Sequence, residues 1–167
     1  MDDTFELTPE PSAWPLLFRH HGPVLGKGFV AVVTMQGRLL ARPDGDGIWL
    51  DGVNPGALAL GADNVRVAGA ELRTVLTGIF TDFAEQAESF EAFKAAVVEF
   101  FNATDDETVA EWTSCVTAVQ MGRSTLPGIL PVWTADTPLS VEVTRKSVEN
   151  VSPKDNPEPE PVLAAVA

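Results

Sequence analysis

Cysteine, basic residues and long apolar runs are scarce in this chain, and each scarcity excludes a class of protein. The only cysteine, Cys115, cannot form an internal disulfide, and no cluster of cysteine and histidine suggests a zinc site. Lysine and arginine together number 11 against 24 aspartate and glutamate residues, so the formal net charge is -13. We therefore expect no direct binding to nucleic acid, because phosphate contacts require basic side chains. No uncharged apolar run reaches about 18 residues, so we expect no membrane span.

Motifs that would hold a cofactor or perform catalysis are also missing. The glycines of residues 22–28 match no phosphate-binding loop pattern, and they precede a predicted strand instead of a helix. His20 and His21 have no activated serine or cysteine nearby, so we predict surface or loop histidines. Cys115 is predicted to be a small core residue. We expect no cofactor and no metal. The acidic N-terminal segment is unlike the basic start of a signal peptide, and we expect a cytoplasmic protein.

What the chain does have is a stretch, residues 47–83, in which a predicted hairpin leads directly into a long amphipathic helix. The hairpin strands alternate apolar and polar residues and are separated by Asn54-Pro55-Gly56, a typical turn. Asp63 or Asn64 can cap the helix that follows. The apolar residues of this helix recur at intervals of three and four, which places on one face Val65, Ala68, Leu72, Val75, Leu76, Ile79, Phe80 and Phe83.

The sequence on either side extends this unit into an α+β fold. Residues 29–35 and 38–42 are predicted strands joined by a turn at Gln36-Gly37, and Asp44-Gly45-Asp46-Gly47 is a second turn. A short apolar patch, residues 14–18, either covers a sheet edge or begins a turn. The predicted fold is a small, mainly antiparallel sheet of three to four strands, packed by the helix over residues 64–84.

Two further helices and a tail complete the prediction. One helix begins near Ser89, and the other begins at Thr104, which starts a capping-box pattern with Glu107. A last strand is predicted over residues 139–144. The domain spans residues 1–146 with its core at 29–144. Residues 147–167 form an acidic, proline-rich and mostly disordered tail, whose apolar end, VLAAVA, is either frayed or docked on a partner.

Carboxylates are the residues most able to carry chemistry near the hairpin, and two interpretations of them are open. They are Asp44, Asp46, Asp51, Asp63 and Glu71. Converging carboxylates can hold the metal ions of a nuclease or another hydrolase. Alternatively they serve backbone roles, since aspartate is common in turns and at strand ends.

Residues 29–83 resemble the N-terminal domain of HicB-family antitoxins. The family has a strand with a glycine, an aromatic and an aliphatic residue, then a Pro-Gly loop, a short strand and an Ala/Leu-periodic helix. Those features correspond here to Gly47-Ile48-Trp49-Leu50, Pro55-Gly56, residues 57–61, the Asp63-Asn64 helix start, and Ala68, Leu72 and Leu76.

The resemblance implies a partial ribonuclease-H-like β-β-β-α-β unit that binds and blocks a small basic toxin ribonuclease without being an enzyme. The partner-binding residues would then be Asp44, Asp46, Trp49, Asp51 and Glu71. The net charge is consistent with this function independently, because an acidic protein can cover the basic surface with which such a toxin grips RNA. Two alternatives stay open: a metal-dependent nuclease or hydrolase, and an accessory protein that docks through its tail. We also expect two copies to associate through a sheet edge.

Overall fold

The computed structural model describes residues 13–124, 128, 130–147 and 163–166, and in this part of the chain a seven-stranded sheet carries three helices. The strands are β1 (Trp14–Gly26), β2 (Phe29–Asp44), β3 (Gly47–Asn54), β4 (Ala59–Ala62), β5 (Val132–Trp133), β6 (Ser140–Lys146) and β7 (Leu163–Val166). The helices are α1 (Val65–Gln86), α2 (Phe90–Asn102) and α3 (Asp106–Gln120). The α+β class is confirmed, whereas the sheet is larger than the three to four strands expected.

The long strand β2 is the centre of the sheet. The strand order is β4-β3-β2-β1-β7-β5, and β6 also pairs with β2. Residues 30–36 of β2 pair with β6 and residues 38–44 pair with β3, so one edge of β2 serves two partners in succession. These pairings are antiparallel, and β5 with β7 forms the parallel pair.

Strands β1 and β2 form a hairpin that is longer than the sequence predicts. Strand β1 continues without a break through Gly22 to Gly26, and residues 14–18 lie inside it. No turn occurs at Gln36-Gly37, because β2 continues through it. A Cβ atom added at Gly37 would lie 2.0 Å from the Asn54 carbonyl oxygen, so this glycine permits close packing with the next strand.

The helices cover both faces of the sheet. Helices α1 and α2 pack on one face, where Leu72, Phe80 and Phe93 are fully buried against inward residues of β1 to β4. Helix α3 packs on the other face. There Trp112 and Val116 contact the strand side chains that point away from α1 and α2, because successive residues of a strand face opposite sides of the sheet. No helix in the described ranges is long and apolar enough to span a membrane.

The helix starts follow the capping chemistry of the sequence in two of three cases. Asn64 caps α1 and Ser89 caps α2, each accepting a hydrogen bond from the backbone three residues later. The cap of α3 is Asp105 and not Thr104, since the Asp105 carboxylate accepts from the Thr108 amide at 3.1 Å. The prediction of a Thr104 capping box is therefore wrong by one position, and Gly122 follows the end of α3 with a φ of 75°.

The C-terminal end differs most from expectation. Residues Leu163–Val166 are not a frayed end but the strand β7, and all four side chains are buried. This strand pairs antiparallel with residues 16–18 of β1 and parallel with β5. The prediction of a disordered tail is thus wrong for these four residues, and residues 148–162 and 167 lie outside the described ranges.

Candidate functional site

An open groove lies where the turn between β2 and β3 meets the start of α1. Its volume is about 440 Å³. We call it the acidic groove, because three of its lining residues are acidic. It is lined by Asp44, Gly47, Ile48, Gly61, Ala62, Asp63, Val67 and Glu71.

The local sequence explains how these residues come together. Gly45 adopts a φ of 59°, which lets the tight turn after Asp44 close. A Cβ atom at Gly47 would approach the Ala62 carbonyl oxygen to 2.7 Å, so the missing side chain allows β3 and β4 to lie side by side here. Asn64 then starts α1 directly after β4. Glu71 lies about two turns after the start of α1 and lines the groove from the helix.

The groove combines negative charge with an exposed apolar side chain. Within the described part of the chain, Asp44, Asp63 and Glu71 make no salt bridge and no side-chain hydrogen bond. Val67 is 39% exposed and precedes Glu71 by one helical turn. Unpaired carboxylates beside an apolar contact are suited to a basic side chain, whose charged end and aliphatic stem both find a partner.

Two other predicted binding residues, Trp49 and Asp51, lie in a polar network on the face under α3. Arg42 donates from Nε to Asp51 Oδ2 at 2.9 Å, and its two terminal nitrogens donate to the Glu111 carboxylate at 2.7 and 2.9 Å. Trp49 Nε1 donates to Asp51 Oδ1 at 2.8 Å. We call these four residues the Arg42 network. It attaches α3 to β2 and β3.

The electrostatics of the Arg42 network are those of a structural ion pair. Hydrogen bonds from Arg42 lower the pKa of the Glu111 carboxyl below its usual value. The hydrogen bond to Glu111 in turn raises the pKa of Arg42, and Asp51 adds to this effect. The carboxylate of Asp51 is therefore already engaged by Arg42 and Trp49, and it is less available to an external ligand than an unpaired one.

The structure thus divides the five predicted binding residues among three places. Asp44 and Glu71 line the acidic groove, Trp49 and Asp51 belong to the Arg42 network, and Asp46 is exposed in the hairpin turn. Among the described residues, no three histidine, cysteine, aspartate or glutamate side chains lie close enough to hold a metal ion. The convergence that the metal-dependent alternative requires is not found in this part of the chain.

Two features of the site could not be found from local sequence. Arg42 and Glu111 are 69 positions apart, and nothing in either segment indicates their pairing. The apolar contribution of Val67 was also missed, because Val67 lies outside the set of residues assigned to the apolar face of the helix. The acidic residue Asp63 was visible in the sequence as a helix-start residue, and the fold adds it to the groove lining.

The two histidines have different environments. His20 is buried, contrary to the prediction of a surface or loop residue, and its ring meets Phe80 edge-on at 5.4 Å between centroids. Burial, with smaller contributions from Arg73 and His21, lowers the pKa of His20 to about 4. His21 is half-buried, and its Nδ1 lies 2.9 Å from the Thr34 hydroxyl. Cys115 lies on the buried face of α3, which confirms the prediction that it is a core residue.

Basic residues gather at the opposite end of β2. A depression of about 790 Å³ near the β1–β2 turn is lined partly by Arg145 and Lys146. Arg145 donates to the Gly28 carbonyl oxygen at 3.3 Å and stands 6.0 Å from the Phe90 ring centroid. Arg145 and Lys146 of β6 therefore lie beside the first residues of β2, and the acidic groove lies at the other end of β2.

Comparison with protein families, curated proteins and solved structures found no match to this chain. The acidic groove is therefore the feature on which a functional proposal rests.

Proposed function

We propose that this chain is a non-enzymatic protein-binding module of the HicB antitoxin type, which binds a small basic toxin ribonuclease and blocks it. The observation that supports this best is the acidic groove, where Asp44, Asp63 and Glu71 have no internal partner in the described residues. A lysine or arginine of the partner would enter the groove and contact Val67 with its stem. The net charge of -13 would speed the encounter with a basic protein.

The groove supports binding better than hydrolysis. A metal-dependent hydrolase needs several carboxylates on the same ion, and Asp51 is instead bonded to Arg42 and Trp49. Glu71 belongs to α1, which packs on the face opposite to the Arg42 network. Docking on a partner through the apolar C-terminal residues has little support, because Leu163–Val166 is buried in the sheet of its own chain.

The experiment is co-expression of the chain with any small basic protein encoded beside it. We expect the two proteins to co-purify, and we expect the chain to suppress the partner's ribonuclease activity in a purified assay. The chain alone, incubated with RNA and magnesium, is the control and should cleave nothing. Failure to capture such a partner, or cleavage of RNA by the chain alone, would contradict the proposal.

A further inference from the structure

The C-terminal strand β7 completes the sheet although it comes last in the chain. Leu163 is 3% exposed, and the three residues after it are fully buried. Leu163 and Ala165 pack into the core under α1 and α2, while Val166 packs into the core under α3. The strand therefore fills a slot between β1 and β5 and closes both cores at once.

Among the strands that the structure describes, none that pairs with β7 is also its neighbour in sequence order. The element before it, β6, pairs with β2, whereas β7 pairs with β1 and β5. Fifteen residues, 148–162, connect Ser147 to this slot, and they contain four prolines. At full extension such a connection reaches about 50 Å. That length permits the strand to reach the slot of a neighbouring molecule.

We propose that the slot between β1 and β5 is a strand-addition site, which accepts Leu163–Val166 of a second copy of this chain in place of its own. Exchange between two copies reproduces every contact that the strand makes within one copy. Backbone pairing to β1 supplies the recognition, as in other cases where a peptide adds a strand to a sheet.

Few contacts must break for the exchange to occur. The strand has four residues, two of which are the small Ala164 and Ala165, and its backbone pairs with residues 16–18 of β1 and residues 132–133 of β5. Helices α1 and α2 and strands β2 to β4 retain their mutual packing when it leaves. The chain's own strand has the advantage of proximity, so exchanged dimers should accumulate at high protein concentration and decline on dilution.

A cysteine pair across the β1–β7 interface tests the proposal in the full chain. Leu16 is the partner of Ala165 in the pairing register, and both lie in the α1 and α2 core, on the opposite face from Cys115. A mixture of Leu16→Cys chains and Ala165→Cys chains is incubated at high concentration and then oxidised. We expect a disulfide-linked dimer that becomes scarcer when the mixture is diluted first.

Each variant oxidised alone is the matched control, because neither provides both halves of the pair. The double variant Leu16→Cys/Ala165→Cys should form the bond within one chain, which verifies the register independently. A mixture that yields only monomers, while the double variant closes its bond, would overturn the proposal.

Hydrogen exchange on the unmodified chain gives a second test, which does not depend on how the variants fold. We expect the amides of Ala164, Ala165 and Val166 to exchange through an opening that leaves the amides of β2 protected. If the amides of β7 and β2 exchange together, only on global unfolding, the strand does not detach by itself and the proposal is wrong.

Discussion

The two faces of the sheet are held by different kinds of interaction. Under α1 and α2 the contacts are overwhelmingly apolar, with an aromatic group that includes Phe29, Phe80 and Phe93. Under α3 the apolar cluster is smaller and directional polar contacts surround it. Arg38 donates to the Asn54 side-chain oxygen, the Trp112 Nε1 atom donates to the Leu16 carbonyl oxygen at 3.2 Å, and the Arg42 network attaches the helix.

The two kinds of interaction hold the helices on the sheet with different precision. Apolar burial stabilises a helix on a sheet without fixing its angle closely, whereas ion pairs and an indole N–H require a particular geometry. On this face, directional hydrogen bonds to Glu111 and from Trp112 therefore fix the position of α3. Trp49 and Asp51 belong to that placement, and the acidic groove beside α1 is the surface that we propose for binding.

Removal of the indole of Trp112 should have the largest effect. This side chain is 5% exposed and lies 5.2 Å from the Arg38 guanidinium, measured to the ring centroid. Trp112→Ala should lower the free energy of unfolding by about 3–5 kcal/mol, because it leaves a cavity and removes the hydrogen bond to the Leu16 carbonyl oxygen. Urea unfolding monitored by circular dichroism measures the loss. Trp49→Ala is the control and should cost much less, since Trp49 is 38% exposed. Equal losses would mean that α3 is not anchored by Trp112.

His20 tests the opposite face, where it is a polar residue in an apolar core. Its pKa is lowered to about 4 by burial, against 6.5 in the unfolded chain. The unfolded state therefore takes up the proton first as the pH falls. The contribution of neutral His20 is complete above pH 6.5 and is lost progressively between pH 6.5 and about 4, at a total of roughly 3 kcal/mol.

Urea midpoints over this pH range measure the effect in the unmodified chain and in two variants. His20→Gln should flatten the pH dependence, because the titrating group is gone. His21→Gln should keep it, because His20 remains. Parallel curves for the unmodified chain and His20→Gln would show that His20 does not control this loss of stability.

Loss of one charge from the Arg42 network should have the smallest effect. Glu111→Gln removes the ionised partner of Arg42, but both side chains are about a third exposed, so solvent screens the pair. We expect a loss of about 0.5–1 kcal/mol in the free energy of unfolding. Glu142→Gln, on the exposed side of β6, makes the same chemical change away from a helix end, without disturbing an ion pair in the described residues, and should cost less. If both variants unfold alike, the network does not hold α3.

The parts of the fold that sequence reasoning found are those with a local cause. Periodicity identified α1, and the caps at Asn64 and Ser89 placed two helix starts. Composition gave a wrong prediction where contacts between distant parts of the chain determine the secondary structure. Residues 22–28 were placed before the first predicted strand, yet Pro23 lies inside β1. A strand accepts it because, in the described residues, the outer edge of β1 is paired only at residues 16–18. Strand β7 was missed because its pairing partner lies near the other end of the chain.

The candidate site was predictable to the same extent. Asp44 and Glu71 were chosen for their charge, and the fold brings both to the acidic groove. Trp49 and Asp51 were predicted together with them, but the Asp51 carboxylate accepts from Arg42 across the strand pair and from Trp49 on its own strand. A single sequence shows which residues carry charge and does not show which charges are already neutralised by a neighbour.

The affinity of the chain for the small basic partner that we propose, measured with matched charge reversals, tests the central claim most directly. Glu71 lines the acidic groove, and Glu85 is exposed on the same helix 14 residues later, about 21 Å along its axis. Glu71→Lys should weaken binding at least about tenfold, or roughly 1.4 kcal/mol, while Glu85→Lys should leave it nearly unchanged. Equal affinities for the two variants would contradict the assignment of the acidic groove as the binding surface.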